Sequence, residues 1–308
     1  MIFSHDTLGM EIAQHGVKMV RVGGRLRAPK LLAQSCATFP PEVLRVLHRE
    51  ANVLQPASFV NIVKETANKL LSSTGRVSVS LPDAAGRVMI LDFETRFKSK
   101  DEGRDMIRWK LKKSLPFDVS DVHLDYQPLR QKDNGELSVL VALMAKNVVT
   151  QYEDLLLEAG LQPNKIDFST FNLYRLFSRR LELSESPLYI AFHHGVLSIL
   201  IFTQGVLDFY RTKEISDVDL DINRIFMEIN NSLVFYRDRN PGCEFKEIFC
   251  HVSPAREETF ATVLREACGI EPVILHPDLV VSSAEPSLGK NDILCDLAAA
   301  LGAATRNL

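Results

Sequence analysis

Two similar stretches indicate the architecture of this chain: EIAQHGVKMVRV, residues 11–22, and IAFHHGVLSILIF, residues 190–202. Each carries Ile-Ala, then a turn containing His-Gly-Val, then an apolar run. At each place this pattern predicts two strands joined by a tight hairpin turn. Because the motif returns in the second part of the chain, it indicates a duplicated fold with two related halves.

The segments that follow the two hairpins are also similar. After the first, a turn at Gly23–Gly24 leads to a third strand, and residues 58–74 have apolar side chains at helical spacing, with Gly75 as a stop signal. After the second, residues 206–215 predict a third strand and residues 221–238 a helix. Each half is therefore predicted to begin with a three-stranded meander and a helix.

Strand and helix signals between the two halves indicate an inserted block. Strands are predicted at residues 87–94, 122–130 and 137–146, and helices at residues 101–115 and 147–160. We expect a βαββα-like insertion at residues 80–150.

Composition and charge exclude several classes of protein. The chain has 308 residues, of which 46% are apolar and 24% charged, enough for two ordinary domains. The net charge of -3 gives no basic excess for nucleic-acid binding. The longest apolar run, residues 187–202, is interrupted by two histidines and a glycine, and no signal peptide is visible at the N-terminus. We expect a cytoplasmic protein with no transmembrane segment, whose five cysteines are reduced.

Longer motifs resemble one family. The segments that carry the resemblance are IRWKLKKSLPFDVSDVHLDYQPL (107–129), EAGLQPNKIDFSTFNLYRLF (158–177), EINNSLVFYRD (228–238) and LAAALGAATR (297–306). Together with the first hairpin they are similar, in order along nearly the whole chain, to the PilM proteins of type IV pilus assembly, which are relatives of the cell-division protein FtsA.

The resemblance implies an α/β fold of the actin-like ATPase (ribonuclease H-like) type. In this fold two related domains flank an interdomain cleft, and the first domain carries an inserted subdomain, 1C. The implied organisation is subdomain 1A at 1–79, subdomain 1C at 80–150, a return to 1A with an interdomain helix at 151–185, the second domain at 186–293, and a C-terminal helix packing on the core at 294–308.

The departures from the family pattern fall on the nucleotide site. In the first hairpin the family's aspartate is Glu11 and its glycine is Ala13, whose methyl group crowds a phosphate. In the second, residues 189–192 read Tyr-Ile-Ala-Phe and offer no carboxylate for magnesium. HVSPAREE, residues 251–258, stands where the family has a Gly-Gly-Gly turn, and no Gly-Gly pair precedes the helix at 221.

These departures predict that ATP is bound weakly or not at all. ATP and magnesium are disfavoured as cofactors, and the expectation is no cofactor, no resident metal and no catalytic residue. The remnant of the phosphate and metal turn would consist of Glu11, Gly16 and Lys18.

Simpler roles compete for the residues of the two hairpins. His15 and His194 occupy mirrored turns and would form an anion or metal site, but two histidines make a poor metal set, and solvent-facing turn residues are the favoured interpretation. Lys18 is placed for a phosphate contact or on the surface. Glu11 would alternatively form an ion pair with Lys18.

The predicted helix at 101–115 offers a candidate partner surface. Arg104, Arg108 and Lys112 fall on one stripe by the i, i+4 rule, and Trp109 lies beside them. This surface would contact an acidic or extended peptide or anionic lipid headgroups. The alternative is a solvated basic face, with a core role for Trp109.

By resemblance, the function is that of a non-catalytic cytoplasmic scaffold, peripheral to the inner membrane. Its partner would be the N-terminal cytoplasmic tail of a PilN-like membrane protein, held in a groove between subdomain 1A and the insertion. The helix at residues 104–113 and the strand from Arg87 are the candidate contacts in that groove. The scaffold would pass conformational information between the pilus assembly ATPase motors and the periplasmic PilN, PilO and PilP complex. Two alternatives are an active ATPase of the same superfamily and the cytoplasmic domain of a GspL-like type II secretion protein. The oligomeric state is left open.

Overall fold

The computed structural model describes residues 6–72, 74–112, 119–132, 135–216 and 220–308. In chain order, the strands are β1 (Thr7–Ala13), β2 (Gly16–Arg25), β3 (Ala28–Thr38), β4 (Arg76–Leu81), β5 (Gly86–Phe93), β6 (Val122–Gln131), β7 (Leu137–Ala145), β8 (Gln162–Phe168), β9 (Leu188–His193), β10 (Val196–Thr203), β11 (Val206–Glu214), β12 (Ile248–His251), β13 (Val273–Ile274) and β14 (Ser282–Ser283). The helices are α1 (Pro56–Asn68), α2 (Lys100–Lys112), α3 (Lys146–Glu158), α4 (Ser169–Leu181), α5 (Ile222–Arg239), α6 (Glu257–Cys268), α7 (Asn291–Asp296) and α8 (Ala298–Thr305).

The two main sheets repeat one topology. The first runs in the order β14-β3-β2-β1-β4-β8 and the second in the order β11-β10-β9-β12-β13, so the two share an arrangement of five strands to which β14 adds an edge strand in the first. In both sheets the first strand pairs antiparallel with the second and parallel with the fourth. A helix follows the third strand and another precedes the fifth. The duplication predicted from the hairpin motif is therefore confirmed.

The hairpins of the second half use tight turns with two left-handed residues. His194 and Gly195 have φ of 47° and 74°, and Gln204 and Gly205 have φ of 53° and 74°. Paired left-handed residues twist a two-residue turn to match the strands on either side. The backbone of His194 therefore has a conformation that few residues with a side chain adopt.

The insertion forms a small sheet of its own, in the order β5-β7-β6, against which α2 packs. β4 belongs to the first main sheet, where it pairs with β1 and β8. Helix α3 packs through Val148, Tyr152 and Leu156 into the core of the first half, beside α1. The domain limits inferred at residues 80 and 150 therefore lie inside β4 and α3. The part of the helix predicted beyond Lys112 lies outside the described residues.

Two helices are exchanged between the halves. Helix α4 follows the first sheet in the chain, yet its Leu173 and Phe177 share a core with Tyr189 and Phe249 of the second sheet. Helix α8 follows the second sheet, yet it packs on β1, β2 and β4 of the first. Every residue of α8 is buried, in agreement with its run of small apolar side chains. We name α4 and α8 the crossed helices.

Glycine permits the close contacts of α8. A Cβ atom on Gly302 would collide with the carbonyl oxygen of Asn172 in α4, and one on Gly9 with the carbonyl oxygen of Ala300. Hydrogen as the side chain therefore lets α8 touch the backbone of both β1 and α4.

A search of the described helices for a bilayer-spanning segment found none with the required length and apolarity. The five cysteines are unpaired, as predicted.

Candidate functional site in the interdomain cleft

The largest described cavity, of about 890 Å³, lies between the two main sheets. The β1–β2 hairpin lines it from the first half and the β9–β10 hairpin from the second. Asp296, the last residue of α7, closes one side. Both hairpins therefore meet at this cleft.

Strand register places the polar residues of the first half side by side. Glu11 of β1 pairs with Lys18 of β2, and Lys18 in turn pairs with Cys36 of β3. Directly paired residues project from the same face of a sheet. The Glu11 side chain is 1% exposed, so its carboxylate is held inside the protein.

The left-handed turn brings two adjacent histidines together. His193 ends β9, and regular strand geometry would send the next side chain to the opposite face. Because His194 is left-handed, its ring instead lies 4.1 Å from that of His193, centre to centre. Both histidines therefore face the carboxylate of Glu11.

The resulting network joins the two halves. His193 Nε2 lies 2.7 Å from Glu11 Oε1, and His194 Nε2 lies 3.5 Å from the same oxygen. Lys18 Nζ lies 2.5 Å from Asp296 Oδ1 and donates to His194 Nε2 at 2.9 Å. We call these five residues the cleft network.

Charge within the cleft network determines its protonation. Burial alone raises the pKa of the Glu11 carboxyl, but the opposing positive charges of His193, His194 and Lys18 outweigh it and hold the pKa at about 2. The charge of His193, followed by burial, lowers the pKa of His194 to about 4. At neutral pH the carboxylate is therefore charged and His194 is neutral.

The predicted remnant residues have partners other than those expected. No Glu11–Lys18 ion pair forms in the described part of the chain, since Glu11 turns to His193 and Lys18 to Asp296. A Cβ atom on Gly16 would meet the carbonyl oxygen of Ala37 at 2.5 Å, so strand packing explains this glycine.

His15 also lines the cleft, but the group of possible ligands formed by Glu11, His193 and His194 does not include it. His193 and Asp296 are not among the residues predicted for the cleft. In a regular strand, neighbouring residues such as His193 and His194 point to opposite faces of the sheet. Asp296 is far from both hairpins in the sequence, and no motif connects it to them. The His-His-Gly sequence at a two-residue turn was the one available signal.

The partner-binding residues predicted on α2 lie away from the cleft. Arg104 and Arg108 contact Asp101 and Asp105 of their own helix at 3.3 and 3.7 Å. The Trp109 side chain is 65% exposed, which excludes the core role. Neither these three nor Lys112 lines the cleft or the groove described next.

A groove of about 420 Å³ runs between the first half and the insertion. The first half contributes His48, Arg49 and Lys146, and the insertion contributes Arg87 and Asp121, with Val122, Leu143 and Met144 forming an apolar part of the lining. We name this the insertion groove.

A smaller cavity, of about 250 Å³, connects the insertion groove with the cleft. It shares His48 and Arg87 with the groove and Asp83 and Glu214 with the cleft. The two sites are therefore neighbours along one surface.

The groups that the two hairpins present differ from those that the family resemblance implies for an ATP site. Ala13 occupies the position where the fold uses glycine for close approach to a phosphate, and the β9–β10 hairpin presents histidines in place of a carboxylate. Glu11 and Lys18 of the first hairpin have partners within the protein, His193 and Asp296.

The sequence matches the model of a known protein family. The family model of type IV pilus assembly protein PilM matches residues 9–187. No curated protein matches the chain.

Solved structures are similar over most of the chain. A PilM–PilN type IV pilus biogenesis complex matches with a TM-score of 0.82 at 21% identity, covering 97% of this chain and 98% of that chain. A Bacteroides thetaiotaomicron protein with an actin-like ATPase fold and unknown function matches with a TM-score of 0.56 at 14% identity, covering 89% and 94%. The predicted fold, an α/β actin-like ATPase fold with two related domains, is therefore confirmed. The cytoplasmic domain of EpsL, from the type II secretion system of Vibrio cholerae, gives a TM-score of 0.49 at 11% identity, covering 80% and 81%.

Proposed function

Because the chain belongs to the PilM family of type IV pilus assembly proteins, we propose that it is a non-catalytic scaffold that binds the N-terminal tail of a PilN-like membrane protein. The solved complex that it resembles joins PilM to PilN. The scaffold acts at the cytoplasmic face of the inner membrane, where that tail is accessible, and the pilus assembly motors are further partners.

The insertion groove is the observation that carries this proposal. Its apolar lining suits the side chains of an extended segment, and its walls come from two separate parts of the fold. Arg49, Arg87 and Lys146 outnumber the one acidic lining residue, Asp121, so the groove favours a segment with a negative charge.

Charge reversal in the insertion groove is expected to weaken tail binding. In Arg87→Glu, a carboxylate replaces an exposed guanidinium of the lining. We expect the affinity for a synthetic peptide of the PilN-like tail to fall at least tenfold, about 1.4 kcal/mol. Isothermal titration calorimetry of the folded variant measures this directly.

Arg108→Glu is the matched control, because it makes the same charge change on the exposed face of α2. It is expected to bind the peptide like the wild type. Loss of binding in Arg108→Glu but not in Arg87→Glu would place the tail on α2 and contradict the groove assignment.

The proposal also assigns no nucleotide to the cleft. The cleft network already bridges the two halves with charged groups, at the place where phosphates and magnesium join the two hairpins in this fold. We expect no rise in the unfolding midpoint when Mg-ATP is titrated to millimolar concentration. A site filled at a hundred times its dissociation constant would add about 2.7 kcal/mol, which a thermal-shift measurement detects.

A saturable shift that disappears in Glu11→Ala would contradict this part of the proposal. It would favour the ATP-binding alternative, with the hairpins still holding a nucleotide. Tail binding at the insertion groove would then remain a separate question, answered by the peptide titration.

A further inference from the structure

Three potential metal ligands converge in the cleft. Glu11, His193 and His194 each offer one ligand atom, and these three atoms lie within 4.8 Å of one another. They come from opposite sides of the cleft, since Glu11 belongs to β1 and the histidines to the β9–β10 hairpin. Two imidazoles and one carboxylate form a ligand set typical of first-row transition metals in proteins.

The second carboxylate oxygen of Glu11 supports a cation site at this cluster. Glu11 Oε2 is buried and has no hydrogen-bond partner within the described chain, although Oε1 faces both histidines. An unpaired buried carboxylate oxygen is costly, and a cation held at Oε1 would lower that cost, because its charge acts on the whole carboxylate. Glu11 is among the residues that line the cavity, so the three ligands lie beside the cleft.

The distances from Glu11 to the two histidines require only small movements. Ligands about 2.1 Å from a tetrahedral zinc lie roughly 3.4 Å apart. Glu11 Oε1 and His194 Nε2 are 3.5 Å apart, which already fits this arrangement. Glu11 Oε1 and His193 Nε2, at 2.7 Å, would separate by less than one ångström as the ion takes the place of their hydrogen bond.

We propose that Glu11, His193 and His194 bind one divalent transition-metal ion of the zinc class, which joins the two halves of the molecule across the cleft. Three protein ligands leave the fourth position open to water from the cavity. The site does not depend on tail binding at the insertion groove.

Lys18 competes with the metal for one ligand. Its ammonium donates to His194 Nε2, the atom that would coordinate the ion, and a positive charge beside a cation weakens binding. Lys18 keeps a second partner in Asp296, so it has an alternative when the ion enters. Removal of this lysine should therefore strengthen metal binding, whereas it would weaken the binding of any phosphate ligand.

The test uses the full chain with Cys36→Ser, because Cys36 is exposed and lines the same cleft. The protein is freed of metal with a chelator and titrated with Zn²⁺ by calorimetry and with Co²⁺ by visible absorption, which reports tetrahedral nitrogen and oxygen ligands. Glu11→Gln and His194→Asn are the ligand variants. Asparagine tolerates the left-handed backbone at position 194.

We expect the Cys36→Ser protein, the parent of the other variants, to bind one equivalent of Zn²⁺. Both ligand variants should bind Zn²⁺ at least tenfold more weakly than this parent, and Lys18→Gln at least threefold more tightly. His15→Asn, in the same cleft but outside the cluster, should bind like the parent. Circular dichroism verifies the fold of each variant.

Absence of stoichiometric binding in the folded parent would overturn the proposal, as would equal affinity in the parent and both ligand variants. Weaker zinc binding in Lys18→Gln would also contradict it, since it would mean that the lysine supports the ligand. If Co²⁺ binds without a tetrahedral spectrum, or if the ligand variants keep that spectrum, the ion is held at another site and the proposal is wrong.

Discussion

Gly302→Ala is expected to destabilise the protein by about 3 kcal/mol or more, because the added methyl group collides with backbone and not with a flexible side chain. The carbonyl oxygen of Asn172 lies in the space that the methyl group needs. Relief would require α8 to move away from α4, and α8 also packs on β1. Urea denaturation followed by circular dichroism measures the change in the free energy of unfolding.

Gly289→Ala is the matched control, since a Cβ there would meet its nearest neighbour, the side chain of Ser283, at 3.3 Å. We expect its unfolding free energy to lie within about 1 kcal/mol of the wild type. Equal stability of the two variants would mean that the crossed helices are not packed as tightly as described.

The stability of the protein is expected to fall by about 3 kcal/mol between pH 7 and pH 4 through His251 alone. His251 is 1% exposed, and burial lowers the pKa of its imidazole to about 4, although the hydrogen bond to the Leu275 carbonyl acts in the opposite direction. In the unfolded chain a histidine has a pKa of about 6.5. Below pH 6.5, His251 therefore binds a proton in the unfolded state but remains neutral in the folded state. The free energy of unfolding decreases as the pH falls towards 4.

His251→Phe isolates this contribution, because phenylalanine keeps a ring beside Phe177 and does not titrate. Its unfolding free energy, measured in urea over a pH series, should depend less steeply on pH between 6.5 and 4. Other groups act in this range: His194 in the same direction, and Asp83, whose burial raises its pKa to about 6, in the opposite one. The difference between wild type and variant removes both effects.

His123→Gln, which replaces a solvent-exposed histidine on β6, controls for the loss of any histidine. It should retain the steep profile of the wild type. If His251→Phe had the same profile as His123→Gln, a buried neutral His251 would be contradicted.

The sequence predicted those parts of the molecule that depend on local pattern. The hairpin at residues 11–22 and its repeat at 190–202 gave the duplicated meanders, and the alternating segments after Leu81 gave the insertion. Both follow from side-chain periodicity and turn residues, which neighbouring residues determine.

The composition of the cleft network was less predictable, because its members meet only through the fold. Glu11 and Lys18 were identified, but His193 meets Glu11 only across the cleft, and Asp296 meets Lys18 only through the return of α7 to the first hairpin. A groove between the first half and the insertion was expected from the family resemblance, but its lining comes from several elements that no sequence motif connects.

The crossed helices also affect how the chain is made. Each main sheet is covered by a helix that the other half of the sequence supplies, and α8 comes from residues 298–305. During synthesis on the ribosome, β1, β2 and β4 emerge early, and the apolar surface that α8 covers stays exposed until translation reaches that helix. The first half must therefore remain incomplete, and open to chaperones, for most of the time that the polypeptide is being elongated.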